Sequence, residues 1–274
     1  MDIFIAALIG LQMGSFLNLL VWRLPLMMEC EWAQEHAQYS GSPLPEQAAF
    51  NLFFPRSHCP ACKTTLRVRD LIPILSYLFL KGKCAHCGTS ISVRYPLVEI
   101  VVALAWAGCA YKWGLTWQAL AWALCVSVLI ALALIDLDTM YLPDSITLPL
   151  IWSGLIASSL GWTSVSLVDA MWGAVAGYLS LWLVYQIFLR VTGKEGMGAG
   201  DFKLLAALGA WLVWMALPGI VFFASLVGVL MAIILRITQK IKADAPFPFG
   251  PYLVLAGLIS VYGVSITDYL GLIS

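Results

Sequence analysis

Four aspartates lie where aspartates are costly. Asp136, Asp138 and Asp144 fall in ALIDLDTMYLPDSITLPL and Asp201 in KEGMGAGDFKLL, each beside long runs of Leu, Val, Ala and Trp. A charge at membrane depth is expensive and usually functional. Topology puts Asp136 and Asp201 at similar depth, on two helix ends that can approach in a bundle. Two neighbouring carboxylates do not both ionise easily, so one keeps a proton and the pair holds a general acid and a general base. Such a pair can activate water against an amide carbonyl and protonate the leaving nitrogen. Glycines at 196, 198 and 200 supply a backbone that bends and admits another chain. Taken singly, Asp144 after Pro143 reads as an ordinary N-cap, Asp138 as a water-facing charge, and Asp201 as a cap on a helix dipole.

A second cluster suits a metal. CPAC and CAHC place Cys59, Cys62, Cys84 and Cys87 as two Cys-x-x-Cys pairs. This is the pattern of a zinc ribbon, a closed tetrahedron of thiolates with a structural role. Two disulfides are the alternative, and a reducing cytoplasm opposes them. His58 and His86 flank the cysteines, but four thiolates fill the shell. Cys109 and Cys125 lie in apolar runs as packing residues, and Cys30 is unassigned.

The elements that carry these residues follow from composition. With 61% hydrophobic and 11% charged residues, the chain reads as an all-α polytopic membrane protein. A span takes about 20 apolar residues, and eight runs qualify, near 3–22, 96–113, 117–135, 145–161, 167–189, 202–217, 219–236 and 251–270. The first carries Asp2 ahead of it and Arg23 behind it, unlike a cleaved signal. The expected organisation is a first helix (1–22), a small zinc-ribbon-like insert (23–95) and a seven-helix membrane domain bearing the aspartates (96–274). With eight spans, of the fifteen Lys and Arg only Lys112 falls on the far side. The insert and both aspartate-bearing connections therefore face the cytoplasm. An insert of that size has little core, and a metal supplies folding free energy the core lacks.

At this point the chain resembles the type IV prepilin peptidases, bifunctional leader peptidases and N-methyltransferases of the GxGD class of intramembrane aspartic proteases. The resemblance rests on GSFLNLLVWRLP (14–25), the two CxxC pairs, ISVRYPLVE (91–99), IDLDTMYLPD (135–144), GKEGMGAGDFKLLAALGAW (193–211) and PFPFGPYL (246–253). It implies that Asp136 and Asp201 are the catalytic pair, with Gly198, Gly200, Asp138, Asp144 and Lys203 as the supporting region. It further implies an inner-membrane enzyme that cuts the basic leader from type IV prepilins or type II secretion pseudopilins after a glycine, on the cytoplasmic side. The new N-terminus is then methylated from S-adenosylmethionine. No glycine-rich turn of the soluble methyltransferases is visible, so methyl transfer rests on the resemblance alone, with Arg94 and Glu99 as its candidates.

Two other classes compete. A transporter would use membrane aspartates as a relay, but these sit at one face and no inverted repeat is evident. A metal-dependent transferase would use the D-x-D at 136–138 to hold a divalent ion. Gly10 with Gly14 and Gly173 with Gly177 read as helix-packing seams, alongside Ser15 and Asn18. PFPFGP reads first as a turn. No internal repeat, nucleic-acid motif or low-complexity tract is evident.

Overall fold

The computed structural model describes residues 1–41, 50–238 and 247–263. Lys240, Lys242, Pro246 and the end of the last apolar run, 264–270, lie outside the described residues. Within them the chain is all-α: nine helices, two 3₁₀ turns and two isolated bridges, with no strand. Five helices are long and apolar enough to cross a membrane: Asp2–Ser40, Arg94–Trp113, Trp117–Thr139, Leu167–Thr192 and Trp214–Ile237 including its leading 3₁₀ turn. The remaining three of the eight runs form shorter helices of 16, 13 and 13 residues. Packing divides the chain into two compact units, 1–115 and 116–274.

The first unit is built on α1 (Asp2–Ser40) and α3 (Arg94–Trp113). The apolar run at 3–22 is only the leading half of α1, which continues to Ser40 and stops where Gly41 turns left-handed and its N–H returns to Ala37 O. Contact between α1 and α3 is close enough that a Cβ on Gly10 would lie 2.8 Å from Ala103 Cα, and one on Gly14 2.6 Å from Glu99 Cα. Small residues at this spacing let two backbones approach in a medium that offers no hydrophobic drive between helices. Between these helices lie a 3₁₀ turn (Val68–Leu71) and the five-residue α2 (Leu75–Phe79). Arg23, buried in α1, donates to the carbonyls of Asn51 at 2.7 Å and Pro55 at 2.5 Å, and so ties the start of this connection down.

The second unit comprises α4 (Trp117–Thr139), α5 (Asp144–Ser159), α6 (Leu167–Thr192), α7 (Ala199–Trp211), α8 (Leu217–Ile237) and α9 (Gly250–Tyr262). At its centre is α7. Thirteen residues make a helix of about 20 Å, short of the ~30 Å hydrocarbon thickness. From Asp201 to Trp211 every residue except Lys203 is buried, the signature of a helix that faces protein all round. The run read as 202–217 ends as a helix at Trp211, turning extended at Leu212 before the second 3₁₀ turn, Trp214–Ala216. Gly173 and Gly177 of α6 lie against the backbone of Gly209 and Leu205 of α7, with no room for a Cβ. The Trp211 indole N–H donates to Leu150 O of α5 at 2.9 Å, and its ring packs 5.3 Å from that of Trp122 in α4.

Candidate active site and metal centre

Asp136 occupies the last turn of α4 and Asp201 the first turn of α7; they are only 4% and 7% exposed. The fold brings the two carboxylates within electrostatic range of each other. Two helix starts serve them. The Gly250 N–H, at the first position of α9, donates to Asp136 Oδ2 at 3.0 Å. Asp201 is the third residue of α7, and its carboxylate accepts the backbone N–H of the N-cap Gly198, which is half of a capping box. Asp201 thus caps the start of α7 while lying within electrostatic range of Asp136.

The chain between the aspartates is shaped by Leu142. After α4, Met140 turns left-handed (φ 55, ψ 30) and its N–H closes on Asp136 O at 2.8 Å. Leu142 is then driven inward, 5% exposed. A Cβ on Gly200 would lie 2.7 Å from Leu142 Cβ, and one on Gly250 would lie 2.7 Å from Asp136 Oδ2 and 3.4 Å from Leu142 Cδ1. Gly200 is therefore a glycine because a side chain approaches it, a packing reason distinct from the flexibility expected of the tether. Neither Leu142 nor Gly250 was singled out from the sequence, although both stand in the quoted LPD and PFG stretches.

The supporting residues divide. Asp144 is not the N-cap of α5: Pro143 holds that position, and the Asp144 carboxylate takes Lys203 Nζ at 2.6 and 2.7 Å. This ion pair pins the start of α5 to α7 two residues past Asp201. Asp138 is exposed on α4. Gly198 meets nothing closer than 4.0 Å where its Cβ would be, so its contribution is the N–H.

In the first unit the four cysteines converge. Cys59, Cys62, Cys84 and Cys87 bring their sulfurs within 4.8 Å of one another, and Cys59 Sγ lies 3.8 Å from Cys87 Sγ. A tetrahedron of ~2.3 Å metal–sulfur bonds has edges of about 3.8 Å, whereas a disulfide needs ~2.05 Å; all the cysteines are free. The donor set therefore fits a tetrahedral thiophilic metal. His58 is directed elsewhere, its Nδ1 3.1 Å from Arg56 O.

A repeat unseen in the sequence builds this centre. Residues 57–66 and 82–91 superpose in role. Cys59 N–H bonds Thr64 O as Cys84 N–H bonds Thr89 O, Lys63 N–H bonds Cys59 O as Gly88 N–H bonds Cys84 O, and Leu66 N–H bonds Ser57 O as Ile91 N–H bonds Gly82 O. Lys63 (φ 58) and Gly88 (φ 71) fill the same left-handed position. In each arm a threonine two residues on favours the thiolate: Thr64 lowers the Cys62 pKa, and the Thr89 hydroxyl, 3.2 Å from Cys87 Sγ, pulls that thiol down to about 6. Only the Cys, Thr and turn positions match, too few for the repeat to stand out as letters.

Of the methyl-transfer candidates, Glu99 is buried in α3, accepting the Ile74 N–H at 2.8 Å and a hydrogen bond from Ser15. Arg94 is exposed at the start of the same helix. Five residues apart on an α-helix is about 140°, so the two do not share a face.

Fold and site together define a polytopic helical membrane protein with a buried aspartate pair at two helix ends and a four-cysteine centre after its first helix. Two family profiles match: the bacterial peptidase A24 N-terminal domain over residues 8–113 and the type IV leader peptidase family over 123–233. The chain is 48% identical to a prepilin leader peptidase/N-methyltransferase of Stutzerimonas stutzeri, over 96% of this chain and 91% of that one. Proteins of the same name from Pseudomonas aeruginosa (50% identical; 95% and 90% covered) and Neisseria gonorrhoeae (47%; 93% and 88%) are also similar. The chain belongs to the type IV leader peptidase family. No solved structure matches it.

Proposed function

We infer that this protein is a prepilin leader peptidase and N-methyltransferase, with Asp136 and Asp201 as the proteolytic pair. The observation that carries the assignment is the burial of the two carboxylates within electrostatic range of each other, each supplied with one backbone N–H from a helix start. In the proposed reaction one carboxylate accepts a proton from water as the water oxygen bonds to the scissile carbonyl carbon. The other carboxyl gives its proton to the amide nitrogen as the C–N bond breaks. Each Asp ends in the protonation state the other began with, so proton exchange with water restores the pair. Lys203 and Asp144 hold the two helix starts in register, Gly198 and Gly200 shape the approach to Asp201, and Asp138 stays exposed two residues past Asp136.

The substrate is read as a type IV prepilin or type II secretion pseudopilin, met at the cytoplasmic face of a bacterial inner membrane, and the metal as structural Zn²⁺. For that ion the thiolate edges and the threonine-assisted cysteines are the support. S-adenosylmethionine would supply the methyl group for the new N-terminus. Glu99 already commits its carboxylate to Ile74 and Ser15, and Arg94, five residues before it, is exposed at the start of α3; these two are the candidates for meeting the donor. Incubating the purified protein with a prepilin and scoring leader loss and the gain of one methyl group separately tests both activities. Leader cleavage that persists at the unsubstituted rate in Asp136→Asn or Asp201→Asn would reject the site.

A further inference from the structure

The connection between the two cysteine arms is not the polar surface expected of a cytoplasmic insert. Val68, Leu71, Ile72, Leu75, Leu78 and Phe79 are all exposed, Val68 at 74% and Phe79 at 82%. Six exposed apolar side chains within twelve residues are not ordinarily left to water. Its depth is set by a hydrogen bond. α3 has 20 residues, about 30 Å, which matches the hydrocarbon thickness. Glu99 lies five residues in, about 7 to 8 Å below the start of the helix, and its carboxylate holds the Ile74 N–H at 2.8 Å. With α3 spanning the hydrocarbon, this bond holds the middle of the apolar segment at the depth where interfacial helices bury their apolar face. Ile74 keeps this contact at a positive φ (φ 60, ψ −51) that a β-branched residue rarely adopts.

Charge completes the picture. Arg67 and Arg69 precede the segment and Lys81 and Lys83 follow it, all exposed. The one acid among them, Asp70, is turned onto the Arg67 backbone N–H at 3.0 Å and lies 3.8 Å from Arg69. Apolar side chains between two basic pairs are the composition that binds an anionic leaflet.

We propose that residues 67–83 form an interfacial anchor, inserting Val68 to Phe79 into the cytoplasmic leaflet with the four basic residues on anionic lipid headgroups. The anchor holds both cysteine arms against the membrane surface, since each arm begins or ends on it. Nothing in this placement depends on the peptidase chemistry.

The test uses the full chain in vesicles of phosphatidylethanolamine and phosphatidylglycerol. A fluorescent amino acid such as dansylalanine replaces Phe79, Leu78 or, as the aqueous reference, Tyr39, which is 98% exposed at the end of α1. All three side chains already lie outside the packing, and two anchor positions guard against one poor variant. Expected is severalfold stronger quenching at 78 and 79 than at 39 by lipids bearing a nitroxide near the top of the acyl chain, with the reverse order for aqueous iodide. Changing Arg67, Arg69, Lys81 and Lys83 to Gln, or phosphatidylglycerol to phosphatidylcholine, should weaken the lipid quenching at least twofold. Iodide reaching 79 as freely as 39 overturns the proposal. So does exclusion of both quenchers, which means protein covers the face, and so does lipid quenching indifferent to the charges.

Discussion

Asp136 and Asp201 are matched by two backbone donors, and this makes their replacements informative. An amide is nearly isosteric with a carboxyl but cannot carry the shuttled proton, so Asp136→Asn and Asp201→Asn should each lower leader cleavage by about 10²-fold or more. Asp138→Asn, on an exposed residue, should reduce it only slightly. Asp144→Asn weakens the Lys203 ion pair and should fall between. Methylation of a pre-cleaved peptide should survive all four, and an inactive Asp138→Asn beside an active Asp136→Asn would reverse the assignment. Because coupled carboxylates titrate as a unit, the cleavage profile should be bell-shaped and should lose its shape in either single mutant. Gly250→Ala is the sharper probe. A methyl there would lie 2.7 Å from Asp136 Oδ2, displacing the carboxylate that the Gly250 N–H holds. The turnover rate should drop at least tenfold with little change in KM, while Gly219→Ala, where nothing lies within 4 Å, should be silent.

At the scale of elements, the paired cysteine arms make opposite demands at equivalent positions. The left-handed turn costs a non-glycine residue about 1 kcal/mol. Gly88→Ala should therefore weaken metal retention about fivefold, and Lys63→Gly should strengthen it by a similar factor, read by competition with a chelator. Replacing any one of Cys59, Cys62, Cys84 or Cys87 by Ser should lower bound metal and destabilise the first unit, since a three-thiolate site loses affinity and with it folding free energy. Full metal stoichiometry in every single mutant would refute the four-thiolate centre. In the second unit, α7 depends on close approach: Gly209→Leu would force α6 and α7 apart where their backbones touch. It should cost cleavage together with stability, unlike the aspartate variants, which keep the packing.

For the whole molecule, the distribution of Lys and Arg predicts that the end of α1 faces the cytoplasm. A specific protease site inserted after Gly41 should be cut in inverted vesicles and spared in spheroplasts; the opposite result would overturn the orientation and the proposed meeting of leader and aspartates. Much of this level was legible in the letters. Apolar runs report membrane spans because hydrocarbon demands about 20 such residues. Two Cys-x-x-Cys pairs report a converging thiolate cluster because few other uses need four thiols at that spacing, and Asp136 and Asp201 are conspicuous because each borders a long uncharged apolar run. What depended on the tertiary structure is contact between residues remote in sequence. That the Gly250 N–H reaches Asp136, that Leu142 wedges beside Gly200 and that Asp144 finds Lys203 instead of capping α5 all follow from how α4, α5, α7 and α9 pack. The same holds for α7. Its letters look like any apolar span, and only its neighbours reveal it as a short buried helix, because periodicity reports where a helix is apolar and not whether lipid or protein covers it.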